Sequence, residues 1–135
     1  MRYGQAPPDL AVLAQTRVWL REYFSGRRPA SRPPLQAQGT PFRRLVWQLL
    51  LEVPYGQTVS YGELATRLSR RLGRPVAARA IGGAVGHNPI ALIMPCHRVI
   101  GSDGSLTGYA GGLWRKRWLL DLEAGHGPAL PPGHR

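Results

Sequence analysis

The feature that most constrains how this chain can fold is a succession of helix-boundary signals over residues 60–89. Ser60-Tyr61-Gly62-Glu63 matches a capping box, in which the Ser60 hydroxyl accepts from the third helical N–H and the Glu63 carboxylate reaches back to the Ser60 N–H. The helix that follows is expected to bury Leu64, Leu68 and Leu72, and Gly73-Arg74-Pro75 reads as a turn. Residues 76–85 then read as a second helix of mostly very small side chains, ended by His87-Asn88-Pro89. Two short helices joined by a tight turn suggest a helix-turn-helix. Gly82-Gly83 lies inside the second helix, at a cost of about 1 kcal/mol per glycine relative to alanine, so something must compensate. Close backbone approach would do so in either of two ways: against a duplex groove, with Arg79 probing the base stack, or against a neighbouring helix of the same chain.

The remaining elements are placed by the same kind of signal. Val12, Leu13, Thr16, Trp19, Leu20, Tyr23 and Phe24 recur at helical spacing after a possible Asp9 cap, which predicts a core-facing helix ended by Gly26. Residues 27–39 contain three prolines and no periodic pattern, and read as an extended connector. Thr40-Pro41 supplies an N-cap and a proline at the first helical position, with Phe42, Leu45, Val46, Leu49 and Leu50 on one face. Pro54-Tyr55-Gly56 breaks that helix, and Thr58-Val59 reads as a short strand. Val99-Ile100 and Leu106-Thr107 flank the turn-rich stretch 101–105, which predicts a β-hairpin forming a wing beside the helix-turn-helix. Residues 108–112 read as a Gly-rich loop, residues 113–123 as a last helix, and residues 124–135 as a flexible tail whose histidines are surface residues.

Length and composition bound the function classes. With 135 residues, one domain with a single core and at most an additional arm is expected. No apolar run approaches the roughly 18 residues of a membrane span, and the N-terminus lacks the apolar core of a secretory signal. One cysteine cannot form an internal disulfide, so a reducing, cytoplasmic setting is expected, with no membrane partner. No Cys/His pairing at metal-ligand spacing occurs, and neither metal nor cofactor is expected. The net charge of +11 arises from 18 basic against seven acidic residues, and every basic residue except Lys116 is arginine. Such a balance points to a polyanionic partner, although arginine content alone leaves nucleic acid and plain solubility as alternatives.

The single cysteine, Cys96, stands between Pro95 and His97-Arg98 just past the apolar run 90–94. A thiolate is the reactive form of cysteine, and neighbouring cations lower its ordinary pKa of about 8.5. Cys96 is therefore either a candidate nucleophile or a small core residue.

Pro95-Cys96-His97-Arg98-Val99, preceded by Arg79-Ala80-Ile81-Gly82-Gly83-Ala84 and Asn88-Pro89 and followed by Gly108-Tyr109-Ala110-Gly111-Gly112-Leu113, resembles the O6-alkylguanine-DNA alkyltransferase family. The likeness runs from about Thr40 to Glu123, and five motifs occur in the family's order with similar spacing. It implies a mainly α fold with a small β-hairpin, a winged helix-turn-helix-like alkyltransferase DNA-binding domain. It also implies a single-turnover repair protein that binds double-stranded DNA through the minor groove, flips an O6-alkylguanine and transfers the alkyl group irreversibly to its own cysteine. By that resemblance Cys96 is the acceptor, His97 a general base acting through a water, Glu123 the residue that orients His97, and Asn88 a brace for the turn before the site. Tyr109 is the donor to the departing guanine, aided by the backbone near Ser102, with Val99 and Gly111 lining the substrate site. Arg79 fills the space left by the flipped base, Tyr61 pushes the adjacent phosphate, and Ala80, Gly82 and Gly83 face the groove.

Three departures from the family pattern accompany these expectations. Residues 1–39 offer one helix and a connector where family members usually carry a larger domain with a sheet, residues 40–123 form the catalytic and DNA-binding domain, and residues 124–135 the tail. Arg67, Arg70, Arg71 and Arg74 cluster on and after the first short helix, as added phosphate contacts or as a solvated basic face. Ala110 stands where some relatives have serine. The competing reading is a sensor that binds alkylated bases without turnover, as alkyltransferase-like proteins do with tryptophan in the acceptor position; Cys96 speaks against it. A transcription regulator would require a metal-binding cysteine cluster, and a cysteine hydrolase an acyl pocket. No heptad pattern is present, and a monomer is expected.

Overall fold

The computed structural model describes residues 10–109 and 111–125, so the Asp9 cap, Ala110 and residues 126–135 of the tail lie outside the described residues. Five α-helices and two short strands follow in the order α1 (Leu10–Phe24), α2 (Pro41–Leu51), β1 (Val59–Ser60), α3 (Tyr61–Leu72), α4 (Ala78–Gly86), β2 (Val99–Ile100) and α5 (Leu113–Glu123), with a 3-10 turn at Cys96–Arg98 just before β2. The chain divides into two compact units, residues 1–36 and 37–135. Among the described residues no helix is long and apolar enough to cross a membrane.

In the first unit, Trp19 and Tyr23 are buried and stack with ring centroids 5.0 Å apart, and Phe24 meets Tyr23 edge-on at 5.4 Å. The connector returns to the C-terminal turns of α1, where the Ala30 N–H reaches the Glu22 carboxylate (3.4 Å). The apolar stripe expected along the whole helix is covered only in part. Leu13 and Phe24 stand 52% and 46% exposed, as do Leu10 and Val18 at 77% and 49%. Helical spacing marks which side chains share a face, not how much of that face is covered.

The second unit is built on the helix starts read from the sequence. Thr40 caps α2 by accepting from the Arg43 N–H (3.1 Å), with Pro41 at the first helical position where its missing N–H costs nothing. Both halves of the capping box form on α3: the Ser60 hydroxyl accepts from the Glu63 N–H (3.0 Å), and the Ser60 N–H donates to the Glu63 carboxylate (3.2 Å). Gly73 ends α3 in the left-handed conformation (φ +69°), which glycine adopts without steric cost. The Val76 N–H donates to the Ser69 hydroxyl (2.9 Å) and closes the turn, so α4 begins at Ala78 rather than at residue 76.

Helices α2, α3 and α4 pack on one another and form the core with Leu49, Leu50, Leu64, Leu68 and Ile81, all fully buried. Burying each such side chain is worth about 1.5–3 kcal/mol in transfer free energy. Leu72, expected to be buried, is half-buried, because it sits in the last turn of α3 where the helix leaves the core. Trp47 locks α2 to α4: its indole N–H donates to the Ala84 carbonyl (2.9 Å), and its ring lies where a Cβ on Gly39 would come within 2.6 Å.

The β element differs from the expected wing. Val99 and Ile100 pair in parallel with Val59 and Ser60, and no hairpin joins them to Leu106-Thr107. The reason is local. Gly101 N–H donates to the Ser105 carbonyl (2.9 Å) and the Asp103 carboxylate accepts from Ser105 N–H (3.0 Å), which closes a small self-contained turn with Gly104 at φ +85°. The Thr107 carbonyl is meanwhile taken by the Lys116 ammonium (2.7 Å). The consequence matters for the site: the residue that caps α3 is tied by a strand ladder to the segment that follows Cys96.

Replacing Trp47 by Phe withdraws the outer ring from Gly39 and leaves the buried Ala84 carbonyl without its donor. The expected loss is about 1–2 kcal/mol in chemical denaturation; an unchanged stability would contradict this role of the bond.

Candidate alkyl-acceptor site

Cys96 opens the 3-10 turn, only 8% exposed, followed by His97 (0%) and Arg98 (7%). Asn88 shapes the approach: its carboxamide donates to the Met94 carbonyl (2.7 Å) and accepts from the Ile90 N–H (2.8 Å), closing the loop that carries the chain from α4 to the cysteine. Leu92, inside that loop, has φ +74°, unusual for a residue with a branched side chain.

Two sequence-distant segments converge on the Glu123 carboxylate at the end of α5. His97 Nε2 lies 2.6 Å from Oε2, Arg98 donates through Nε (2.7 Å) and Nη2 (3.0 Å), and the Gly56 N–H donates to Oε1 (3.1 Å). Arg98 Nη1 also donates to the Val53 carbonyl (2.8 Å), and its guanidinium lies over the Tyr55 ring at 5.7 Å. A carboxylate accepts about four such bonds, so this one is saturated.

The electrostatics follow from that arrangement. Burial would push the Glu123 carboxyl up, but the bonds from His97 and Arg98 outweigh it and hold the group at about 2. Burial lowers the His97 imidazole below its ordinary value, against the opposing pull of Glu123 and with the help of the Arg98 and Lys116 charges. Burial likewise pushes the Cys96 thiol up, with Asn88 and the Lys116 charge pulling the other way. The resting state is therefore a thiol beside a neutral imidazole and an ionised Glu123. Neighbouring cations do not hold Cys96 as a thiolate, because desolvation dominates and the Arg98 guanidinium is engaged by Glu123. Tyr109 is half-buried, and burial together with Cys96 pushes its phenol up to about 12, so it remains a hydrogen-bond donor.

Among the expected site residues, the structure brings Cys96, His97, Glu123, Asn88 and Tyr109 into one neighbourhood. Gly111 lies under Tyr109, where a Cβ would come within 3.0 Å of the ring. The Val99 side chain is fully buried in the strand ladder, and Ser102 is exposed in the turn beyond it. Tyr61 opens α3 with its ring 4.0 Å from where a Gly82 Cβ would sit. Arg79, Ala80 and Gly83 are exposed on α4, and nothing lies within 4 Å of a Cβ at Gly83. The second glycine thus has no intramolecular packing to explain it. The arginine cluster is partly engaged: Arg71 forms a two-bond pair with Glu52 (2.6 and 3.0 Å), and Arg67 approaches Glu63 at 3.9 Å.

Two participants were not singled out as site residues from the sequence. Arg98 is the main clamp on Glu123. Lys116 is fully buried and holds the Thr107 carbonyl near the cysteine; its standing as the one lysine among 18 basic residues was a signal. Among the described residues no group of three or more His, Cys, Asp or Glu side chains could hold a metal ion.

Residues 41–125 match the family described as 6-O-methylguanine DNA methyltransferase, DNA binding domain. The chain is 50% identical over 122 residues to the methylated-DNA–protein-cysteine methyltransferase of Mycobacterium bovis, covering 90% of this chain and 72% of that protein. It superposes on the crystal structure of Mycobacterium tuberculosis OGT in complex with DNA with a TM-score of 0.75 at 48% identity, covering 92% of this chain and 73% of that one. A more distant likeness, TM-score 0.50 at 32% identity over 64% of this chain and 79% of the other, is to S. pombe Atl1 in complex with damaged DNA containing O6-carboxymethylguanine. The chain belongs to the O6-methylguanine-DNA methyltransferase family.

The Glu123 arrangement makes a pH prediction. Unfolded glutamate takes up its proton near 4.5 and the folded carboxyl at about 2, so its contribution to stability is present above pH 4.5 and is lost as pH falls toward 2. Across that window the wild type is expected to lose on the order of 3 kcal/mol more than Glu123→Gln in chemical denaturation; equal slopes would contradict the assignment.

Proposed function

We propose that this chain repairs DNA by moving an alkyl group from O6-alkylguanine to Cys96 in one irreversible turnover. The observation that carries this reading is a buried thiol one residue away from an imidazole held 2.6 Å from a buried, ionised carboxylate, within a helix-turn-helix domain of this family. With Nε2–H donating to Glu123, His97 Nδ1 carries the ring's lone pair and takes the Cys96 proton through a water. Sulfur then attacks the alkyl carbon, an S–C bond forms as the C–O6 bond breaks, and the electron pair leaves on the guanine. Tyr109 donates a hydrogen bond to that guanine as negative charge develops, and the proton His97 took from Cys96 passes through water to the guanine, which ends protonated and unalkylated. Glu123 stabilises the imidazolium formed in the step, which is why its low pKa serves the chemistry.

Double-stranded DNA is the partner, met inside the cell. Helix α4 enters the minor groove with Ala80, Gly82 and Gly83 against the backbone, and the exposed Gly83 is the feature that favours an outside surface over internal packing. Arg79 fills the vacated stack, and Tyr61 presses the neighbouring phosphate; extrusion of the base costs a few kcal/mol that these contacts offset. Ser102 and the Val99 and Gly111 backbone border the flipped base.

Mixed with duplex carrying O6-methylguanine, the protein is expected to gain one methyl group per chain on Cys96 by mass spectrometry, and Cys96→Ala to gain none. Binding with no mass gain would move the assignment to a damage sensor. Arg79→Ala is expected to slow transfer from duplex at least tenfold more than transfer from the free modified base; equal losses would remove Arg79 from base extrusion.

A further inference from the structure

Arg115, in the first turn of α5, is used by none of the roles above. Its guanidinium donates through Nη1 to the Gly111 carbonyl (2.6 Å) and lies over the Trp114 ring at 4.4 Å. Its Cδ sits 3.4 Å from where a Gly111 Cβ would be, on a glycine whose other neighbour at 3.0 Å is the Tyr109 ring. Trp114 lies against the next residue, 3.7 Å from a Cβ built on Gly112, which is itself at φ +99° and donates its N–H to the Tyr109 carbonyl (2.9 Å). Trp114 is 37% exposed, and no acidic partner to Arg115 occurs among the described residues, so neither side chain is placed by core burial or by an ion pair.

We infer that Arg115, braced on Trp114, is a positioning residue that fixes Tyr109 through Gly111. The inference rests on the proposed role of Tyr109 as donor to the departing guanine. The contacts form a chain: the Trp114 ring meets the guanidinium, the guanidinium bonds the Gly111 carbonyl, and the Arg115 stem and the Tyr109 ring both lie against Gly111. A planar guanidinium suits this, since it can stack on an aromatic face and still donate in its own plane. Glycine at 111 lets the arginine stem and the phenol ring crowd the space a Cβ would fill, so any side chain there would push one of them away. The Arg115 charge also opposes the upward shift of the Tyr109 phenol, which strengthens it as a donor. Small displacements of a positioned donor are costly to a reaction that depends on its alignment.

The test is a double-mutant cycle on single-turnover transfer, with protein saturating over duplex carrying one O6-methylguanine. Arg115→Ala is expected to slow transfer about tenfold while thermal stability and the Kd for the duplex stay within twofold. In the Tyr109→Phe background the same substitution is expected to change the rate less than twofold, because the donor it positions is gone. Trp114→Ala is expected to reproduce part of the Arg115→Ala loss and to show the same dependence on Tyr109. An Arg115→Ala loss of equal size in both backgrounds would overturn the inference, as would a loss confined to Kd, which would make Arg115 a phosphate contact. A wild type that transfers no methyl group would refute the proposed function instead, and a Tyr109→Phe variant with wild-type rate would refute the donor role of Tyr109.

Discussion

The interaction on which the rest depends is the saturation of one buried carboxylate. Glu123 receives bonds from His97, from two nitrogens of Arg98 and from the Gly56 backbone. These donors come from the 3-10 turn after the cysteine and from the turn after α2, and the acceptor from the last residue of α5. A single side chain therefore closes three chain segments that would otherwise be held by short turns and a ladder of two residue pairs. Removing one partner of such a buried pair costs far more than the pair adds, because an uncompensated charge remains. The bonds from His97 and Arg98 also keep the carboxylate ionised, so the feature that closes the fold is also the one the proposed mechanism uses.

In the proposed mechanism that coupling lets a buried thiol serve as the nucleophile. A thiolate exposed at rest would be open to oxidants and to random alkylation, whereas burial holds Cys96 protonated and His97 neutral. In the proposed mechanism deprotonation waits until a base occupies the site, and Glu123 meets the charge left on the imidazole. Helix α4 presents a different surface. It has no side chains at Gly82 and Gly83 and carries Arg79 exposed, which is the surface that the proposed duplex contact uses.

Much of this was legible in the sequence because it rests on local chemistry. Thr40-Pro41 and the Ser60–Glu63 box predict helix starts through hydrogen bonds spanning three residues, and both formed. The cysteine motif and its family resemblance pointed to His97 and Glu123, which the fold brings together across 26 residues of sequence. What escaped was non-local. The strand partner of Val99-Ile100 is Val59-Ser60, forty residues earlier in register, and no turn signal encodes a parallel pairing. Arg98 carried no mark to distinguish a clamp from a phosphate contact, and Gly56 contributes only a backbone N–H. The stripe on α1 was read correctly as a pattern and wrongly as wholly buried, since periodicity is silent about what overlies a face.

The account stands most directly on the protonation state of His97 in the resting protein. Nitrogen-15 NMR of the imidazole at neutral pH is predicted to show a neutral ring with the proton on Nε2, directed at Glu123, and no titration until well below pH 6.5. An imidazolium at pH 7, or a neutral ring protonated on Nδ1, would contradict it.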